Sequence, residues 1–147
     1  MKRRVISVAI TLCCLRLMSV PAFAQLPGLA VRVNIPFDFV VRGKTLSAGE
    51  YAITRVGDEP QVVLISNRNN SHEDAMIETQ SVEGKVPNDG KVVFYRYGDT
   101  YFLHEIWTAG IGTGRELPTS KQEKTLKKES LARGESVEPQ TVALAIN

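Results

Sequence analysis

Cysteine is nearly absent from this chain, and the two that occur, Cys13 and Cys14, lie side by side in an apolar run near its start. The rest of the sequence has no disulfide framework and no thiolate for a zinc site, so it must be held together by its core. Histidine is equally scarce. His72 and His104 stand far apart, with no spacing that would make a metal site. The triplet His72-Glu73-Asp74 reads as a solvated loop. No apolar stretch reaches the roughly 20 residues that a membrane-spanning helix needs. The longest, Val5 to Val20, is interrupted by Arg16.

That run belongs to a recognisable arrangement. Lys2, Arg3 and Arg4 precede it, Pro21 ends it, and Ala22-Phe23-Ala24 places small residues where a signal peptidase reads. Residues 1–24 are therefore expected to be a secretory signal peptide cleaved between Ala24 and Gln25, leaving an exported domain over 25–147. Leu12 and the Cys13-Cys14 pair do not make a lipid-attachment site, and the context of Arg3-Arg4 is not that of a twin-arginine signal. Export would change the charge. Four of the 18 Lys and Arg residues lie in the leader but none of the 16 Asp and Glu, so the remaining 123 residues carry 14 basic and 16 acidic groups, net −2. This balance lacks the clustered basic footprint of a nucleic-acid-binding protein. The expected location is the periplasm or the medium.

The remaining chain reads as strands punctuated by turns. Residues 30–35 alternate apolar and polar, and 37–41 continue in the same manner after Pro36, as one kinked strand. Gly43 and Ser47-Ala48-Gly49 mark turns. Residues 51–56 form a further strand, 61–66 read as a continuously buried one, and 75–79 as another. The strongest local signal is a hairpin of 91–97 with 100–108 around Gly98-Asp99, where glycine at the first loop position fits a type II′ turn. Its register pairs Tyr97 with Thr100, Tyr95 with Phe102 and Phe94 with Leu103. Uniform alternation would then place Phe94, Arg96, Tyr101, Leu103, Glu105 and Trp107 on one face, and Val93, Tyr95, Phe102, His104 and Ile106 on the other.

After the hairpin, Gly110 to Gly114 reads as a mobile loop. A helix over about 119–133 follows, with Ser120 and Glu123 as a capping box and Gly134 as its stop. Few apolar residues mark it as a surface helix. Residues 140–146 alternate as a last strand. The expected fold class is mainly β: a single-domain antiparallel sandwich or open barrel with one short C-terminal helix.

The search for chemistry finds no catalytic residue, cofactor site or metal site. Gly110, Gly112 and Gly114 lack the spacing of a dinucleotide loop and the Lys-Ser/Thr of a P-loop. Ser47, Ser66, Ser71 and Ser81 stand outside any nucleophile elbow, and no pair of carboxylates is singled out for glycoside chemistry. Asn69-Asn70-Ser71 fits a glycosylation sequon, which matters only in a eukaryotic secretory pathway. Tyr95, Tyr97, Tyr101, Phe102 and Trp107 offer either a stacking face or core packing, and the apolar strands around them favour packing. The candidate binding residues are Tyr101, Trp107, His104, Arg115 and Glu116.

The stretches Ile35-Pro36-Phe37-Asp38-Phe39, Gly43 to Tyr51, Phe94 to Leu103, Ile106-Trp107-Thr108 and Gly114 to Pro118 resemble a group of small exported β-rich proteins of soil bacteria. The resemblance covers most of the mature chain. It implies an exported β domain with 115–118 as an integral junction, and it carries no activity, cofactor or site residue. Two functions are open. One is a non-enzymatic domain binding an envelope protein or glycan. The alternative is a small exported hydrolase near the 110–116 loop, using Glu105, His104 or Arg115. Convergence of these side chains in one concave pocket favours the enzyme, and a filled sheet face favours the binding domain.

Overall fold

The computed structural model describes residues 30–70, 72–134 and 138–146; the expected signal peptide over 1–24 and its expected cleavage site lie outside these. The fold is a β-sandwich of two sheets with one short C-terminal helix and no closed barrel. The first sheet has the order β1-β4-β5-β6, with β1 at Ala30–Ile35, β4 at Gly49–Val56, β5 at Glu59–Asn67 and β6 at Ala75–Glu78. The second has the order β11-β8-β9-β10-β7. Here β7 is Gln80–Glu83, β8 Lys91–Tyr97, β9 Thr100–Trp107, β10 Thr113–Glu116 and β11 Gln140–Ala145. The hairpin of β2 (Phe39–Val41) and β3 (Lys44–Leu46) joins this second sheet, β2 running parallel to β9 in an otherwise antiparallel structure.

Residues 30–41 are therefore not one kinked strand. Ile35 pairs with Gly49 in the first sheet and Phe39 with Tyr101 in the second, so the segment at Pro36 carries the chain across the sandwich. Proline suits that corner because it withholds the N–H that a continuing ladder would need. Thr79 marks a second crossing: β6 ends the first sheet and β7 edges the second. β5 also departs from the expected continuous burial, since only Val63, Ile65 and Asn67 are buried while Val62, Leu64 and Ser66 are half-exposed. One face of the first sheet is covered and the other is open, which is the usual condition of an antiparallel sheet.

The core lies between the sheets. Val33, Ile35, Tyr51, Ile53, Val63 and Ile65 from the first sheet meet Phe39, Leu46, Phe94, Leu103 and Ile106 from the second. Phe94 is packed edge-on against both Phe37 and Phe39. Each such side chain removed from water contributes about 1.5–3 kcal/mol, and this burial stands in for the missing disulfides.

The β8–β9 hairpin has the expected register near its turn. Gly98 has φ +57°, and Asp99 is not among the positive-φ residues. That is the backbone of a type II′ loop. Gly98→Val should consequently lower the melting temperature far more than Asp99→Ala, since a β-branched residue is strongly disfavoured at positive φ. Equal melting temperatures would contradict this turn geometry.

Further along the hairpin the alternation fails. Phe94 pairs with Leu103 but Val93 pairs with Glu105, so β9 carries an extra residue at His104. This bulge returns Ile106 to the core beside Leu103. It also moves Glu105 and Trp107 to the face of Tyr95 and His104, reversing the expected placement of all three. The bulge falls where the far edge of β9 changes partner, from β2 at Tyr101 and Phe102 to β10 at Glu105 and Ile106. His104 O accepts the Leu117 N–H at 2.8 Å between them.

The helix, α1, spans Lys121–Ala132. Ser120 caps it, its hydroxyl accepting the Glu123 N–H at 3.1 Å. The Glu123 carboxylate does not complete a capping box. It is buried, accepts the Tyr97 hydroxyl proton at 3.1 Å, and lies 3.7 Å from Lys127 Nζ. Burial raises the Tyr97 pKa, and the hydrogen bond to Tyr97 raises that of Lys127. With Leu126 on the small cluster of Val40, Tyr97 and Phe102, this pins the first turns of α1 to the outer face of the second sheet, while Leu131 stays exposed. Hydrogen exchange should be slow in β9, intermediate near Glu123 and fast beyond Leu131. Glu123→Ala, which leaves Tyr97 without its acceptor at a cost of about 1–3 kcal/mol, should make all of α1 exchange fast. Slow exchange across α1 in that variant would show that other contacts hold it.

Candidate functional site

The five side chains singled out from the sequence divide between the two faces of the second sheet. Tyr101 stacks on Phe37 with ring centres 3.9 Å apart and lies against the core, the Arg96 guanidinium over its ring. Arg115 donates from Nη1 to Ser81 Oγ at 2.9 Å on the neighbouring strand β7. These two residues are tied down by structural contacts.

Trp107, His104 and Glu116 come together on the outer face. The Trp107 indole lies in a slot between Gly84 and Gly114, where a Cβ atom would stand 2.5 and 2.8 Å from the ring. Its Nε1 donates to Glu105 Oε2 at 2.7 Å. His104 stacks on Tyr95 at 3.8 Å, and its Nε2 lies 3.7 Å from Glu105 Oε1 and 3.6 Å from Glu116 Oε1. Adjacent strand residues ordinarily point to opposite faces, so His104 and Glu105 were expected to stay apart; the bulge brings them to the same side. Burial raises the Tyr95 pKa, and the Glu105 and Glu116 charges add to the effect. The His104 side chain is only 12% exposed. Strand β10 begins inside the segment expected to be a mobile loop, taking Thr113 and Gly114 from it: Thr113–Glu116 pairs with β7, and its last two residues with β9. The glycines there serve packing, since Gly112 and Gly114 bring the strand against Val86 and Trp107.

A concave surface among the described residues lies elsewhere. Three clefts meet at Pro118. The largest, about 500 Å³, is bounded by Arg42, Gln61, Ile77 to Gln80 and Pro118. A second, about 470 Å³, runs from Arg42 and Gly43 to residues 118–122. A third, about 200 Å³, runs along Gln80 and 116–119, and through Glu116 it adjoins the outer-face cluster. Arg42 lines the two larger clefts from the tip of the β2–β3 hairpin, with φ +56°, the one positive-φ residue other than glycine among those described. No local pattern announces this groove. Arg42-Gly43, Glu78-Thr79-Gln80 and Pro118 come from three separate turns that only the sandwich assembles.

A polar clamp closes one end of the fold. Glu73 accepts hydrogen bonds from the Ser47 hydroxyl and N–H, from Asn67 Nδ2 at 3.0 Å and from Tyr51 Oη at 3.3 Å. The Ser47 donors above all hold its carboxyl below the ordinary carboxylate range. Its stabilising effect is therefore complete above that range and is lost as the pH falls through the lowered value. His72 faces outward in this loop, its carbonyl accepting from Lys44 Nζ.

Among the described residues no three His, Cys, Asp or Glu side chains are grouped to hold a metal ion, and no helix is long and apolar enough to cross a membrane. Comparison of the chain with family models, curated proteins and solved structures yields no match.

Proposed function

We propose that this chain is an exported, non-enzymatic domain that binds a partner in the bacterial envelope, in keeping with its resemblance to small exported β-rich proteins. The observation that carries the reading is the groove around Pro118. It is concave and is lined by amide, hydroxyl and mixed charged side chains suited to holding a polar ligand. The hydrolase alternative draws less support. His104 is stacked and nearly covered, Arg115 is engaged with β7, and the cleft that reaches Glu116 does not include His104.

Two measurements test this. Mass spectrometry of the exported protein should find a chain beginning at Gln25, and an intact Met1 in an exported fraction would contradict the signal peptide. A photo-crosslinking residue at Gln80 or Lys121 should capture an envelope component in intact cells, while one at the exposed Asn69, just past the opposite end of β5 from Gln61, should not. Equal capture from both positions would contradict the groove as the binding site.

A further inference from the structure

We infer that His104 is a proton-operated clasp on the segment that walls the third cleft, drawing Glu116 inward in mildly acid solution and releasing it into the cleft as the pH rises. The clasp acts on the wall itself, whatever the groove binds. Glu105 and Glu116 are direct partners across the β9–β10 ladder, so both carboxylates stand on the same side of the sheet. Like charges placed opposite one another weaken such a pair unless a cation lies between them. His104 holds that position, with Nε2 at 3.7 Å from Glu105 Oε1 and 3.6 Å from Glu116 Oε1. These separations are too long for hydrogen bonds and suit ion pairs. A neutral ring gains little from them, and an imidazolium gains from both. Histidine is the side chain whose charge ordinarily changes between about pH 5 and 8.

The other charges nearby are engaged elsewhere. Among the described residues no Lys or Arg forms an ion pair with Glu105 or Glu116. On α1, Lys127 and Glu123 pair with each other and with Tyr97. On β8, Lys91 lies over the Trp107 ring, and Tyr95, stacked on His104, has its pKa raised by burial and stays neutral. On β10, Arg115 is turned to Ser81.

The two carboxylates are not equally free. Glu105 Oε2 accepts the Trp107 indole N–H, whereas the Glu116 carboxylate accepts no hydrogen bond from a described residue and its side chain is 41% exposed. Glu116 is therefore the one that moves. It lines the third cleft beside Leu117 and Pro118, and the Leu117 N–H is tied to His104 O. The ring and the carbonyl of the bulged residue thus hold the same wall.

The test is an NMR titration of the purified full chain from about pH 5 to 8. The amides of Glu116 and Leu117 should shift in one transition with the His104 ring. A proton contact between the Glu116 side chain and that ring, seen at the acid end, should be lost at the other. His104→Gln should abolish the amide shifts, while the same change at the exposed His72, in the 68–74 loop, should leave them intact. Glu116→Gln, at a more open position, should leave His104 titrating and remove most of the shift at Leu117, with thermal melts confirming the fold of each variant. Amides that stay fixed while His104 titrates would overturn the inference, as would a His104 ring that keeps one charge across the range. Shifts undiminished in His104→Gln or in Glu116→Gln would overturn it as well. Failure of the crosslinking experiment above would remove the binding reading and leave the clasp to be decided by this titration alone.

Discussion

Phe94→Ala is expected to destabilise the protein by about 3–5 kcal/mol, the range for truncating a fully enclosed phenylalanine. Phe94 is 0% exposed, sits in the second sheet opposite Leu103, and meets the edges of Phe37 and Phe39. Phe37 belongs to the crossing segment, so its stack on Tyr101 also leans on this ring. The loss therefore combines apolar transfer, a cavity between the sheets and two aromatic contacts. Neither sheet is expected to close the gap, because each is fixed by its own ladder. Urea denaturation with the slope held constant checks the value. A change below about 0.5 kcal/mol, the usual range for surface positions, would show that the ring is not in the core.

Gly114→Ala should produce the second large effect, about 1–3 kcal/mol of destabilisation from overpacking. Two forces oppose each other at this position. Alanine in a strand is ordinarily better than glycine by roughly 0.5–1 kcal/mol, because less chain entropy is lost. Here the added Cβ would meet Trp107 Cδ2 and Cε2 at 2.8 Å and Cε3 at 2.9 Å. These are atoms of a rigid ring whose other side is closed by Gly84 and whose Nε1 is held by Glu105. The indole cannot move aside as the end of a flexible chain would, so the clash prevails. In a Trp107→Ala background the cost of Gly114→Ala should vanish or turn into a gain of up to roughly 0.5–1 kcal/mol, a coupling that a double-mutant cycle measures. Additive costs would show that the slot is not what constrains the glycine. Retained Trp107 fluorescence maxima in the single variant would point the same way.

The segment 110–118 shows where local reading of the sequence stopped. Three alternate glycines with little apolar content read as a loop, because glycine is depleted in strands and carries no side chain to pack. The same glycines are required once Trp107 lies against them, and that contact depends on the bulge at His104. A bulge leaves no period-2 signature, since it breaks the period. It was therefore the tertiary pairing of β9 with β2 and then β10 that decided the faces of Glu105, Ile106 and Trp107. Tyr101, a candidate binding residue in an aromatic set expected rather to pack, stacks on Phe37, a partner 64 positions away in the chain that no local pattern names.

Glu123 follows the same logic from the other direction. Its place three residues after Ser120 foretold the start of α1, and the Ser120 cap is present. Its partner Tyr97 lies 26 residues earlier, and no helical pattern announces a carboxylate buried against a sheet.

Local chemistry determined what adjacent residues decide between themselves. The β-branched and aromatic runs made strands, Gly98-Asp99 set the register of the central hairpin, and Ser120 and Gly134 bounded the helix, because propensity, turn geometry and capping act over a few residues. The absence of cysteine outside the first 24 residues likewise determined that burial alone would hold the domain. Only the tertiary structure decided which sheet each strand joined, where Pro36 and Thr79 carried the chain across, and that three distant turns enclose a groove at Pro118. Those outcomes depend on contacts between residues far apart in sequence, where shape and the satisfaction of buried groups, rather than local preference, choose among the arrangements a β-rich chain allows.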